Sequence, residues 1–385
     1  MPGELGYCHR QVRGYAMNNV LPQISFAPCS CDAHSTDFTR RRFITKAIGL
    51  GVGAVGALSG FTSNLTPAAH ANDGLIDVHH HHIPPFYLEE YRDRIAASRG
   101  GKITPAWLSW SPEKAIQAMD AANVSAAVLS LSSPGVWFGD SVAATRTARL
   151  VNEYAAELAK THKGRFGFFA AVPLPDQEAS LREIEYAFDV LKADGIGLLT
   201  SYGDKWLGNP AYEPVFAELN RRKAVVFVHP TTPFCCRTLL PDIPTVIAEV
   251  PQDTARAITN LLFTGTFSRF RDTKFIFTHA GGNMPMIVGR MKQYGPANLN
   301  TLAPDGIEHE LKRHYYDLAG TANRPAVSAI TSIVPMTQIL MGSDNPYIPL
   351  GETAKDIQTL GLSANDLRLI RRENALALLP TLAPR

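Results

Sequence analysis

Short apolar and β-branched runs recur along the chain from Leu75 onward, and between them lie longer stretches in which apolar positions return every three or four residues. The first spacing places side chains on alternate faces of a strand, the second on one face of a helix. Eight strand-like runs can be marked, at 75–79, 124–131, 166–174, 195–200, 224–229, 274–279, 315–320 and 339–342. Ser111-Pro112-Glu113 supplies an N-cap and an N1 proline for a helix through Ala122. Helical periodicity also marks 146–160, 177–192 and 214–222, each ending near glycine or basic residues, and 363–379 reads as a terminal helix. Strands alternating with helices predict a parallel sheet, and eight strands are enough to close it. The expected fold is therefore α/β, a single-domain (β/α)8 TIM barrel over residues 72–385. Its long strand-to-helix connections, 84–111 and 230–253, should lie over the active face.

The segment before the barrel has another character. Thr39-Arg40-Arg41-Arg42-Phe43-Ile44-Thr45-Lys46 leads into an uncharged run rich in Gly and Ala at 47–61, followed by the small-x-small tripeptide Ala69-His70-Ala71. This pattern predicts a twin-arginine export presequence over residues 1–71, cleaved after Ala71, with Met1 or Met17 as the start. An apolar run of about fifteen residues is short for a membrane anchor, which needs roughly twenty. The twin-arginine export machinery is then a partner, and the mature protein is expected to be periplasmic or secreted.

Setting the presequence aside changes the charge balance. Residues 1–71 hold six Lys or Arg and three Asp or Glu of the chain's 37 and 35, leaving 31 against 32, a balance of about −1. No basic patch remains to argue for nucleic acid. Of five cysteines, Cys8, Cys29 and Cys31 fall in the presequence, and the adjacent pair Cys235 and Cys236 makes a poor staple, so no disulfide framework is expected.

Candidate chemistry gathers where the apolar runs end. The first closes in His79-His80-His81-His82 and then Pro84-Pro85. Residues two apart in a strand share a face, so His79 and His81 can offer two imidazoles to one divalent cation while His80 and His82 point away. The run is internal and follows an apolar strand, which argues against an affinity tag. His229 ends the fifth run, His279 the sixth, and Asp344 follows the eighth. In a barrel these positions share the C-terminal mouth. Each also has a plainer reading: His229 as a hydrogen-bonded core histidine, His279 as part of the tight turn His279-Ala280-Gly281-Gly282, Asp344 as a turn cap before Pro346. Taken together, His79, His81, His229 and Asp344 form a ligand set of three imidazoles and a carboxylate that suits zinc best, with Mn, Fe or Co tolerated. His279 and Asp344 are the candidates for moving protons. Trp107, Trp110, Trp137, Phe138, Tyr202 and Trp206 sit in connections that can line an apolar slot, or simply pack.

These residues, in this order, resemble the amidohydrolase-2 family, in the branch of aminocarboxymuconate semialdehyde decarboxylase. The likeness covers residues 75–380 and includes Arg165-Phe166-Gly167-Phe168-Phe169-Ala170, the His279-Ala280-Gly281-Gly282 turn and Asn374-Ala375-Leu376. It implies a (β/α)8 barrel with one metal, usually zinc, at His79, His81, His229 and Asp344, a catalytic His279, and a homodimer. His229-Pro230-Thr231 with Cys235-Cys236-Arg237, and Leu198-Leu199-Thr200-Ser201-Tyr202-Gly203-Asp204, look most like the 6-methylsalicylate-type aromatic acid decarboxylases. Trp137, Tyr202 and Arg237 are the expected substrate contacts. Arg92, Arg94 and Arg237 are the candidates to bind a substrate carboxylate, whereas Arg290 is expected to pack. The resemblance implies non-oxidative decarboxylation of a small aromatic or unsaturated carboxylic acid. A hydrolase of a lactone, amide or related carbonyl is the alternative, and a binding protein without turnover a third reading.

Overall fold

In the computed structural model, residues 74–98, 101–240 and 242–383 are described, so the expected presequence lies outside the described residues. Eight strands form one parallel sheet in chain order: β1 (Leu75–His81), β2 (Val124–Ser130), β3 (Phe166–Ala171), β4 (Gly195–Leu199), β5 (Val225–His229), β6 (Lys274–Phe277), β7 (Tyr315–Asp317) and β8 (Ile339–Leu340). The sheet closes between its ends. Val78 N–H donates to the Met341 carbonyl at 3.0 Å, Asp344 N–H to the His79 carbonyl at 2.9 Å, and His81 N–H to the Asn345 carbonyl at 2.8 Å. The chain is thus a (β/α)8 TIM barrel whose seam runs between its first strand and the segment that follows its last.

Helices occupy the connections: α1 (Pro85–Ser98), α2 (Pro112–Ala121), α3 (Ser141–Thr161), α4 (Gln177–Asp189), α5 (Glu213–Arg221), α6 (Thr245–Phe263) and α7 (Met284–Tyr294). Side-chain oxygens cap three of them: Ser111 accepts from Lys114 N–H, Asp140 from Ala143 N–H and Asp176 from Ala179 N–H. Each such cap contributes about 1 kcal/mol. The connection 84–111, expected as a loop, contains α1, and α6 begins at Thr245 inside the connection expected to run to Asp253. The expected terminal helix runs without interruption over 364–378, with a π-turn at Leu369–Glu373 between Ala364–Arg368 and Asn374–Leu378.

Alternation along each strand sorts the apolar residues into two layers. Ile76, Val78, Val128, Phe169, Val225, Phe227, Ile276 and Leu340 fill the barrel, sealed at the base by Ala375, Leu379 and Leu382. Leu75, Leu129, Phe168, Val226 and Phe275 face the helices instead. Strict alternation from Ile76 and Val78 would send His79 and His81 outward. The β1–β2 register shifts between Asp77 and His80, and beyond that irregularity His79 and His81 turn into the barrel.

Candidate active site

His79, His81, His229 and Asp344 converge at the C-terminal mouth, one ligating atom from each lying within 4.8 Å of the others. His79 Nε2 stands 3.1 Å from His81 Nε2, and Asp344 Oδ1 is 3.3 Å from His79 Nε2 and 3.0 Å from His81 Nε2. The three imidazoles are fully or nearly buried, and the Asp344 side chain is 16% exposed.

Each imidazole is turned by a buried oxygen at its Nδ1. His79 Nδ1–H donates to Asp317 Oδ2 at 3.0 Å, His81 Nδ1–H to the Ser130 carbonyl at 3.2 Å and His229 Nδ1–H to the Pro230 carbonyl at 2.8 Å. Ser130 Oγ also lies 3.1 Å from His81 Nδ1; with Nδ1–H donating in each ring, the three Nε2 atoms face a common point. Lone pairs at such distances repel unless a proton or a cation lies among them. Donors at about 2.0–2.1 Å around a tetrahedral zinc stand roughly 3.3 Å apart, close to the observed edges. An octahedron with somewhat longer bonds gives similar edges, so spacing fits a divalent cation without choosing between metals.

The charges agree with that geometry. Burial would lower the His79 imidazole, but Asp317 and Asp344 outweigh it and raise it to about 10. Burial lowers His81 to about 4 against its bond to Asp344, and holds His229 well below the ordinary imidazole value. Burial would raise Asp344, yet its bonds to His79 and His81 keep it far below the carboxylate range. Asp344 is accordingly an anion.

His279 ends the β6 run, with Nδ1–H donating to the Ala319 carbonyl at 2.8 Å and its ring 5.1 Å from that of His79. His279, Ala280, Gly281 and Gly282 all have φ between 54° and 75°. Such a left-handed run is costly for His and Ala, and strain of this kind collects at functional sites. Asp344, at φ 63°, shares it.

Asp317, at the end of β7, was not among the expected site residues. Its Oδ1 accepts from the N–H groups of His279 (3.1 Å) and Ala319 (3.0 Å), while Oδ2 holds His79. One carboxylate therefore orients a candidate ligand and the backbone of the candidate acid/base. The signal was present, since Asp317 is a polar residue within an apolar strand run. His80 and His82 do point elsewhere: His80 bonds Asp77 and Asn345, and His82 stacks on Tyr154.

Beside the histidines, Leu131, Val136, Val172, Leu198, Leu199 and Tyr202 line an apolar hollow that reaches His229. It adjoins a cleft of about 440 Å³ to which Trp137, Tyr202, Arg94 and Arg237 contribute. Tyr202 is a buried wall whose hydroxyl accepts from Leu199 N–H at 3.0 Å. The Arg237 guanidinium lies 4.1 Å from the centre of the Phe234 ring at the outer end of the cleft. Cys235 and Cys236, in the same turn, are joined to each other and tie no distant segments together. Trp107 packs with Tyr87, and Trp206 donates its indole N–H to Asp253. Arg290 lies over Tyr294, as packing predicts.

Known proteins resemble this arrangement. The amidohydrolase family pattern matches residues 76–381. The decarboxylase yanB of Aspergillus niger is 36% identical over 324 residues, covering 79% of this chain and 87% of that protein. A 6-methylsalicylic acid decarboxylase of Penicillium expansum is 34% identical over 280 residues, 71% of this chain and 85% of its own. The structure of 5-carboxyvanillate decarboxylase from Novosphingobium aromaticivorans, with bound manganese, superposes with a TM-score of 0.71 at 20% identity, covering 80% of this chain and 97% of that one.

Proposed function

The chain belongs to the amidohydrolase family, and from that membership we propose that it is a metal-dependent, non-oxidative decarboxylase of a small aromatic carboxylic acid of the 6-methylsalicylate kind. The observation that carries the metal is the convergence of His79, His81 and His229 with Asp344 Oδ1, each imidazole turned by a buried oxygen at its Nδ1. The decarboxylase similarity carries the reaction. Both curated relatives described above are decarboxylases, and nothing at the site favours the hydrolytic alternative.

His79, His81, His229 and Asp344 would hold the cation. We take zinc as the resident ion on its imidazole-rich donor set, while one relative binds manganese. When bound, the cation supplies positive charge that holds the substrate carboxylate and a neighbouring oxygen and offsets the charge that builds as CO2 leaves. The protein does the rest. Trp137, Leu199 and Tyr202 line the cleft of about 440 Å³, which has room to sheathe an aromatic ring and exclude water from it, next to the small apolar hollow that reaches His229. A proton then adds to the ring carbon bearing the carboxylate, and the C–C bond breaks with its electron pair returning to the ring. His279 and Asp344 are the side chains placed to move that proton. Arg237, with Trp137, guards the outer end of the slot.

The test pairs product and metal analysis. His279→Ala should lose at least roughly a hundredfold in turnover of 6-methylsalicylate or a related hydroxybenzoate to CO2 and the corresponding substituted phenol, yet retain about one metal per chain. Full activity in that variant, or a metal-free wild-type protein that is fully active, overturns the assignment. The export signal and the homodimer are also proposals. They rest on the twin-arginine pattern and on the family resemblance, and N-terminal sequencing and light scattering are the corresponding measurements.

A further inference from the structure

Helix α6 carries a buried carboxylate that no step above uses. Asp253 is fully buried. Its Oδ2 accepts a short hydrogen bond from the Thr200 hydroxyl, and its Oδ1 accepts from the Trp206 indole N–H at 2.8 Å. Thr200 follows β4 and Trp206 belongs to the small hairpin formed by Ser201–Tyr202 and Lys205–Trp206, so Asp253 grips both sides of the segment that presents Tyr202. The same Thr200 hydroxyl oxygen accepts from Thr231 N–H at 3.1 Å, and Thr200 N–H donates to the His229 carbonyl at 3.0 Å. Thr231 is bound in turn to Ser133 Oγ at 3.1 Å, in the loop after β2.

The neighbouring turn of α6 meets the strand-six loop. The Pro251 carbonyl accepts from Asn283 N–H at 3.2 Å, and a Cβ added at Gly282 would fall 2.2 Å from that carbonyl oxygen. One helical turn, 251–254, therefore touches the loops after β4 and β6 directly and the loop after β5 through Thr200. A carboxylate is suited to this task, because it accepts two donors at fixed angles where an apolar residue would leave both buried and unpaired.

We propose that Asp253 is the positioning residue of the substrate slot: through Thr200 and Trp206 it locks the loops after β4 and β5 into one wall, and so sets affinity for the aromatic acid without touching it. The inference rests on the reading of that slot as the substrate site.

Asp253→Asn keeps the shape but turns an amide N–H toward one of the two donors; Thr200→Val removes the hydroxyl at constant volume, and Thr200→Ser restores it. In the full-length metal-loaded enzyme, Asp253→Asn and Thr200→Val should raise KM for the hydroxybenzoate turned over by wild type roughly tenfold or more, with kcat changed by less than about threefold, and Thr200→Ser should recover wild-type KM. Metal content should stay at the wild-type level. Asp253→Asn should also shift tryptophan emission, and that shift should vanish in a Trp206→Phe background. Unchanged KM in both variants, or an equal fall in kcat with loss of metal, overturns the proposal. Calorimetric titration with salicylate separates the two readings. Wild type that binds salicylate but releases no CO2 from any hydroxybenzoate refutes the decarboxylase, while a wild-type Kd in Asp253→Asn refutes the positioning role.

Discussion

An imidazole is a useful ligand only when its ring is turned correctly and its proton sits on the outer nitrogen, and buried oxygens impose both conditions here. Asp317 is the charged one among them. It holds His79 through Nδ1 and His279 through the backbone N–H. Asp317→Asn preserves volume but presents an amide that can face the Nδ1–H with a donor. The expected result is a 10- to 100-fold loss of metal affinity, read by competition with a chromophoric chelator, with the fold retained. Proton competition at the same ligands gives a second expectation. His79 is raised to about 10 by Asp317 and Asp344, so a proton rivals the cation there, and metal retention should fall as pH drops from 7.5 to 5.5. Dialysis at each pH followed by metal analysis checks the direction. The four donors were legible in the sequence because each ends or follows an apolar run and has no apolar reason to be there. Asp317 stood out in the same way, as a polar residue within an apolar run, but its role did not, because that role is defined by a partner 238 residues away.

At the scale of elements, the strands announced themselves and their edges did not. β8 was expected over 339–342 but pairs with β7 only through Ile339 and Leu340. Beyond them the chain leaves that ladder to bond β1 instead, and the place where it crosses is crowded. A Cβ on Gly342 would lie 2.8 Å from His79 Cβ and 3.0 Å from Asp317 Cβ. Gly342→Ala must therefore push His79 and Asp317 apart. Loss of metal together with a destabilisation of about 1–3 kcal/mol is expected, measured by denaturant unfolding of apo and loaded protein. Among the helices that escaped the pattern, two did so for evident local reasons. α1 opens on the proline pair 84–85 and interleaves charged with aromatic residues, and α6 contains Pro251, which reads as a helix breaker. The irregularity in β1 escaped as well. Alternation correctly put His79 and His81 on one face, but only the shift between Asp77 and His80 makes that face the inner one.

Across the whole molecule, the buried histidines outside the site make acid the weak side of the fold. Neither ring nitrogen of His314 has a hydrogen-bond partner among the described residues, where it packs against Phe267 and Phe275, and His82 is buried beside Tyr154. Burial lowers His82 to about 3 and His314 well below 6.5. The unfolded chain binds these protons first, so stability is full above about 6.5 and declines as pH falls, by about 1.4 kcal/mol per pH unit for each group. His79, raised, has the opposite sign and contributes nothing to acid lability. Thermal melts from pH 7.5 to 5 should show a falling Tm, and His314→Leu should flatten the fall; an unchanged slope in that variant would remove His314 as its cause. The barrel as a whole was legible because eight strand runs alternate with helices, whereas its seam was not, since backbone pairing between segments more than 260 residues apart leaves no local trace. That seam has a consequence for biosynthesis. The donors at 79 and 81 leave the ribosome first, and their carboxylate partner at 344 and the stitches that hold it follow only more than 260 residues later. A nascent chain that stops short of Asp344 cannot assemble the complete coordination cage, so any ion acquired during synthesis must wait for that residue.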